Sequence, residues 1–115
     1  MNKKYVKDFE VKDDFLQYLD LFIDLSQEVY GVPMEYPSVF FFQGESVAGR
    51  GGLKNEEPYL EFNVDYLQEY WYYMVHEAIP HEVAHMVDYL LRGDSCHDDH
   101  WKQICLRLGG KAEGF

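Results

Sequence analysis

The stretch AIPHEVAHMVDYLLR, residues 78–92, decides how the rest of the chain is interpreted. Its apolar residues recur at helical spacing, and Gly93 directly after it is a helix stop signal. Pro80 fits a helix only in the first turn, so we expect this helix to begin near residue 78. The apolar face consists of Ile79, Val83, Met86, Val87 and Leu90. We expect that face to pack on a core and the opposite face to carry the polar residues.

The polar face of this helix carries two histidines in the pattern HEVAH. His81 and His85 are four residues apart, which places one imidazole a turn above the other, so both can bind a single tetrahedral metal ion. Glu82 lies beside them, where a carboxylate reaches water at the metal rather than the metal itself. The alternative is a solvated polar face that holds two histidines, and a third ligand decides between the two interpretations.

The candidates for a third ligand downstream are Asp94, His97, Asp98, Asp99 and His100. Trp101 belongs to the apolar stripe of the last predicted helix, and His97 falls on the same line one turn earlier. His100 lies about 60° off that stripe, so we interpret it as a surface residue, as a donor that supports a ligand, or as a group that stabilises the transition state. We therefore predict that His81, His85 and His97 hold one zinc ion and leave a position for water, as in catalytic zinc sites.

Asp88 and the two cysteines are the remaining residues with ligand chemistry. Asp88 follows His81 by seven residues on the same helix face, so it either orients a ligand imidazole or is a solvated acid, and both interpretations stay open. Cys96 and Cys105 do not form a CxxC pair, and Cys105 lies on the apolar stripe of the last helix. We leave both thiols out of the predicted metal site.

The elements on either side of the HEVAH helix predict an α+β fold. Helical spacing and period-two alternation, separated by turn residues, indicate an N-terminal helix that Gly31 and Pro33 stop, a three-stranded antiparallel sheet, and then three helices. We treat residues 1–115 as a single domain in which residues 1–12 are flexible. The predicted elements lie at residues 13–30, 37–43, 45–53, 58–63, 65–76, 78–92 and 98–108.

Length and charge exclude several classes of function. The 115 residues suffice for one small domain, and no apolar run approaches the roughly 18 residues of a membrane span. Ten Lys and Arg against 21 Asp and Glu give a formal net charge of −11, which opposes binding to nucleic acid and to anionic membranes. The start, MNKKYVKDFEVKDD, lacks the apolar stretch of a secretory signal, and two cysteines make no disulfide framework, so we expect a cytoplasmic protein.

Five landmarks in this order resemble the SprT-like zinc metallopeptidases, the family of bacterial SprT and of the Spartan protease. They are VAGRGG, YLEFN, IPHEVAH, CHDDHW and LRLGG, within residues 47–115. The resemblance implies a minimal zincin-like fold that hydrolyses peptide bonds in protein substrates. It also implies that His81, His85 and His97 are the zinc ligands and that Glu82 is the catalytic residue.

The sequence departs from that family pattern in three ways. Asp98 stands where members often have a glycine after the third histidine, His100 is additional, and no cysteine-rich zinc ribbon follows. Spartan-type relatives act on proteins crosslinked to DNA, so the resemblance implies DNA as a partner, whereas the net charge of −11 opposes it. A DNA-associated protease and a non-catalytic module that zinc stabilises are therefore the alternatives to a metallopeptidase.

Overall fold

The computed structural model describes residues 3–7, 10–31 and 35–111, and it has a mixed α+β architecture. Four strands form one sheet in the order β1-β2-β4-β3. The strands are β1 Lys4–Tyr5, β2 Ser38–Gln43, β3 Gly49–Lys54 and β4 Glu57–Asn63. Helices cover one face of this sheet, so that α4, which carries the HEVAH motif, packs directly against β3 and β4.

The helices are α1 Asp13–Tyr30, α2 Val64–Glu69, α3 Trp71–Tyr73, α4 Ile79–Arg92 and α5 Asp99–Arg107. The first predicted helix is confirmed, and Gly31 ends it in the left-handed conformation with φ 60°. Pro33, the second stop signal, lies outside the described residues. No helix in the described ranges combines the length and the apolar character that crossing a membrane requires.

The prediction of three antiparallel strands is wrong in both number and pairing. The additional strand is β1, which pairs antiparallel with β2. β3 and β4 do form an antiparallel hairpin, because Asn55 and Glu56 both adopt positive φ and make the tight turn that suits the strand twist. β2, however, pairs parallel with β4, so β4 lies between β2 and β3.

Asn63 explains why the chain between β2 and β3 crosses the end of β4. Its backbone N–H donates to the carbonyl of Ala48 at 2.9 Å, and its side-chain amide donates to the carbonyls of Glu45 at 2.9 Å and Val47 at 3.0 Å. Its side-chain oxygen also accepts from the N–H of Asp65 and caps α2. One buried amide thus fixes both the crossover loop and the start of the next helix, which no strand pattern indicates.

The predicted helix of residues 65–76 divides at Tyr70, and its second part joins the HEVAH helix. Met74–Ala78 form a π-helical turn, in which the N–H of Ile79 bonds to the carbonyl of Met74, and the turn runs directly into α4. Pro80 has no N–H, and its ring would collide with the carbonyl four residues earlier in a regular α-helix. The wider turn accommodates this proline, so the helix starts before residue 78 rather than at it.

The hydrophobic core lies between the sheet and helices α1, α4 and α5. Phe15 on α1 packs edge-on against Phe62 of β4 with ring centroids 5.2 Å apart. Four of the five residues on the predicted apolar face of α4 are buried and Leu90 is half-buried, while the supposedly polar face is buried at His81 and Glu82. The HEVAH helix is therefore enclosed along most of its length, which stiffens the backbone that carries the motif.

Part of the N-terminal segment, residues 3–7, contacts the sheet. Residues 1–2 and 8–9 lie outside the described residues. Lys3 forms an ion pair with the buried carboxylate of Glu61, and the hydroxyl of Tyr5 donates to the same carboxylate at 2.9 Å. These contacts, together with the pairing of β1 with β2, attach the described part of the segment to the sheet.

Candidate metal centre

Three histidines converge beside the N-terminal half of α4. His97, in the loop between α4 and α5, places its Nε2 atom 3.1 Å from Nε2 of His81 and 3.1 Å from Nε2 of His85. Nitrogen ligands that are about 2.0–2.1 Å from a tetrahedral ion lie about 3.3 Å from one another. The cluster therefore has the separation and the donor atoms that one metal ion requires.

The indole of Trp101 packs against all three imidazoles. It is fully buried, stacks on His85 at 5.0 Å with an interplanar angle of 20°, and meets the rings of His81 and His97 edge-on. Its Nε1–H donates to the backbone carbonyl of His81 at 3.3 Å. The helical spacing from Trp101 back to His97 predicted that these two residues face the same side, although α5 itself begins only at Asp99.

The electrostatics of the cluster keep the imidazoles of His81 and His85 neutral. Burial lowers the pKa of His81 to about 3, and the neighbouring His85 and His97 add to the effect. Burial also lowers the pKa of His85 to about 4, helped by His97 and opposed by Asp88. Neutral imidazole is the form with a free lone pair, so both rings are in the state that binds a metal.

Glu82 points from α4 toward β3 and is almost completely buried, with 4% of its surface exposed. Burial raises the pKa of its carboxyl to about 8; Arg50 acts to lower it and Glu61 to raise it. A Cβ placed on Gly49 would lie 3.3 Å from Cγ of Glu82, so the glycine backbone forms the wall beside this side chain. The carboxyl is thus held in a confined position and titrates close to neutral pH.

A cleft of about 430 Å³ opens over the cluster. One wall is β3, the edge strand of the described sheet, with the loop that precedes it. Four tyrosines, one each from β4, α2, α3 and α4, add aromatic surface: Tyr59, Tyr66, Tyr73 and Tyr89. The three histidines and Glu82 also line this cleft.

Asp88 and His100 lie behind the cluster and not in it. The Asp88 side chain has no exposed surface, so the interpretation as a solvated acid is wrong. Burial acts to raise its pKa, but hydrogen bonds from Arg92, Ser95 and His100 outweigh this and hold the pKa below its usual range. His100 donates from Nδ1 to the Asp88 carboxylate, 2.5 Å away, and contacts no ligand nitrogen among the described contacts.

Two residues around the cluster were missed from the sequence. Ser95 accepts or donates a hydrogen bond at Nδ1 of His85, 2.7 Å away, and it lies in a loop where no periodicity could have found it. Arg92 binds Asp88, and its position four residues later on the same helix was a usable signal. Cys96 is exposed and Cys105 is buried in the core, and neither joins the group of histidines.

Comparison with known proteins gives one positive result. The sequence model of the SprT-like family matches the chain over residues 18–115, which includes residues 18–30 of α1, strands β2 to β4 and the whole histidine cluster. No curated protein and no solved structure matches the chain.

Proposed function

Since the chain belongs to the SprT-like family, we propose that it is a zinc-dependent metallopeptidase of the minimal zincin-like type, hydrolysing peptide bonds with Glu82 as general base and acid. One observation carries the proposal: three imidazole nitrogens and the buried carboxyl of Glu82 line a single open cleft. His81, Glu82 and His85 come from α4, and His97 comes from the loop before α5. A metal ligand set without a reactive group beside it would support only a structural role.

The donor set favours zinc. His81, His85 and His97 offer three imidazole nitrogens and no carboxylate, which suits zinc and not magnesium or calcium. Three protein ligands leave a coordination position open, as in catalytic rather than structural sites. Zinc bound there supplies Lewis-acid polarisation of a peptide carbonyl and of water.

Glu82 handles the proton in this proposal. Because burial raises its pKa to about 8, the carboxyl is poised near neutral pH to accept a proton as well as to release one. A carboxylate oxygen of Glu82 takes the proton from the water that attacks the peptide carbonyl. The same oxygen then delivers this proton to the amine nitrogen as the C–N bond breaks, so the group ends in its starting state.

The edge strand β3 is proposed to hold the substrate. Gly49, Arg50 and Gly51 line the cleft, and β3 is bonded to β4 on its other side. An extended peptide can therefore add to this edge through main-chain hydrogen bonds, which are independent of the substrate's sequence. The bound peptide would pass over Glu82 and the three histidines.

The substitution Glu82→Gln tests the proposal. The variant should bind zinc like the wild type, since the ligands are unchanged, but lose peptide hydrolysis by about 10²–10⁴-fold, because an amide cannot take the proton. Cleavage of a quenched fluorescent peptide library measures the rate, and Glu69→Gln, at an exposed residue of α2, is the matched control. Cleavage at the wild-type rate by a zinc-loaded Glu82→Gln protein would contradict the role of Glu82, and a wild type that binds zinc but cleaves no peptide would support a non-catalytic module that zinc stabilises.

A further inference from the structure

Asp88 is a buried carboxylate that the proposed reaction does not use. Its two oxygens accept hydrogen bonds from Arg92, from Nε at 2.6 Å and from Nη2 at 2.9 Å, and Oδ1 also accepts from His100. A carboxylate without exposed surface is costly unless it is paired and fully hydrogen-bonded. The arrangement therefore calls for a reason other than stability alone.

Ser95 connects this carboxylate to a predicted ligand. The serine Oγ lies 2.7 Å from Nδ1 of His85, and Ser95 also contributes a hydrogen bond to Asp88. An ionised carboxylate only accepts, so the Ser95 hydroxyl must donate its proton to Asp88. The same oxygen then has only lone pairs to offer His85, and Nδ1 of His85 must be the donor. This sequence of bonds fixes His85 as the Nδ1–H tautomer, which leaves the Nε2 lone pair toward His97 and His81.

Arg92 connects the same carboxylate to the loop that carries the third histidine. Its Nη2 atom lies 2.7 and 2.8 Å from the two carboxylate oxygens of Asp98, the residue after His97. Asp98 in turn caps α5 by accepting from the N–H of Trp101 at 3.2 Å. Asp98 and His100, the two residues at which this chain departs from the family pattern, thus both bind the Asp88–Arg92 pair.

We propose that Asp88, Ser95, Arg92 and Asp98 form a positioning network that orients His85 for metal binding through Ser95 and anchors the His97 loop through Arg92 and Asp98. The inference rests on the metal site of the proposed function and not on hydrolysis. Partners behind metal-binding histidines fix the tautomer and the ring orientation, and their loss typically weakens metal binding by about 10–100-fold. Ser95 is the most direct point of attack, because it lies in a loop and its loss leaves the Asp88–Arg92 ion pair in place.

The test compares Ser95→Ala with Ser95→Thr, which restores the hydroxyl, and with Ser38→Ala, a control at an exposed serine of β2. The tautomer of His85 is read in the metal-free protein from long-range ¹H–¹⁵N correlation spectra. Zinc affinity is measured by competition with a chelating dye. Thermal unfolding of the metal-free proteins shows whether the fold is affected, which separates positioning from a merely structural role.

In the wild type we expect the Nδ1–H tautomer of His85, and in Ser95→Ala a mixture of tautomers with zinc binding about 10–100-fold weaker. Ser95→Thr should restore both properties, and Ser38→Ala should change neither. The inference is overturned by an Nε2–H tautomer in the wild type, or by a Ser95→Ala protein that keeps the wild-type tautomer and binds zinc within about twofold of wild type. If the wild type and the Ser38→Ala control both fail to bind zinc, the proposed function is wrong. The tautomer of His85 then decides by itself whether this inference holds.

Discussion

At the scale of single residues, Trp101 determines where the histidines meet. Its buried indole contacts all three imidazoles and donates to the backbone of His81, so the ring fixes the distance between α4 and the loop before α5. His97 itself is exposed and belongs to no helix or strand. Its position therefore depends on the indole beneath it and on the Arg92–Asp98 contact beside it.

His97→Ala should abolish tight zinc binding without unfolding the protein. Two histidines on one helix remain, and the loss should exceed about 100-fold, because even partners behind a ligand are worth about 10–100-fold. The exposure of His97 means that little packing is removed, so unfolding of the metal-free protein should occur near the wild-type temperature. Zinc content after dialysis measures the effect, with His76→Ala as the control outside the cluster. Full zinc content in His97→Ala would show that the third ligand lies elsewhere.

At the scale of elements, α4 and β3 approach more closely than side chains permit. A Cβ on Gly51 would lie 2.2 Å from the backbone carbonyl oxygen of Glu82, whereas real Cβ atoms keep beyond 3.0 Å. Neither backbone can move to make room for a Cβ unless β3 separates from α4. The glycines of β3 thus allow this strand to lie directly against α4 beside Glu82.

Gly51→Ala should destabilise the protein by about 3 kcal/mol, the upper end for overpacking, because the collision is with backbone. Gly52→Ala is the matched control, since its Cβ would meet the ring of Tyr89 at 3.0 Å, and a side chain can move aside. Denaturant unfolding of the metal-free proteins gives both free energies. Equal losses for the two variants would contradict this account of the α4–β3 contact.

The sequence predicted those elements whose signals are local. The bounds of α1 followed from its spacing and from Gly31, and the hairpin of β3 and β4 followed from the alternation in residues 58–63 and from the turn residues before them. The parallel pairing of β2 with β4 depends on the amide of Asn63 and the crossover that it holds, a contact that spans up to 18 residues. No periodicity records such a contact, and the π-helical turn before Pro80 was missed because the proline was expected to lie in the first turn of the helix.

The histidine cluster was also predictable from local signals, whereas the residues around it were not. His81 and His85 are set by helix geometry, and His97 by its spacing from Trp101, whereas the burial of Asp88 and the placement of Ser95 require that α5 pack against α4. The sequence therefore predicted that the three histidines lie together, but not that Asp88 and Ser95 hold them in place.

At the scale of the whole molecule, the charge distribution favours a peptide over a nucleic acid in the cleft. The net charge is −11, and Arg50, the cationic residue among those that line the cleft, is paired with Glu45 at 2.9 Å. A path for phosphates would need unpaired cations along the cleft, whereas the main-chain edge of β3 suits an extended peptide. This argument supports the metallopeptidase proposal over the DNA-associated alternative.

The account depends most on one zinc ion held by three imidazoles, and X-ray absorption of the zinc-loaded protein tests this most directly. We predict one zinc per chain with three imidazole nitrogens and one oxygen at about 2.0–2.1 Å, and no sulfur. A zinc–sulfur distance of about 2.3 Å, which would place Cys96 in the site, or a shell of oxygen ligands without imidazole, would contradict the account.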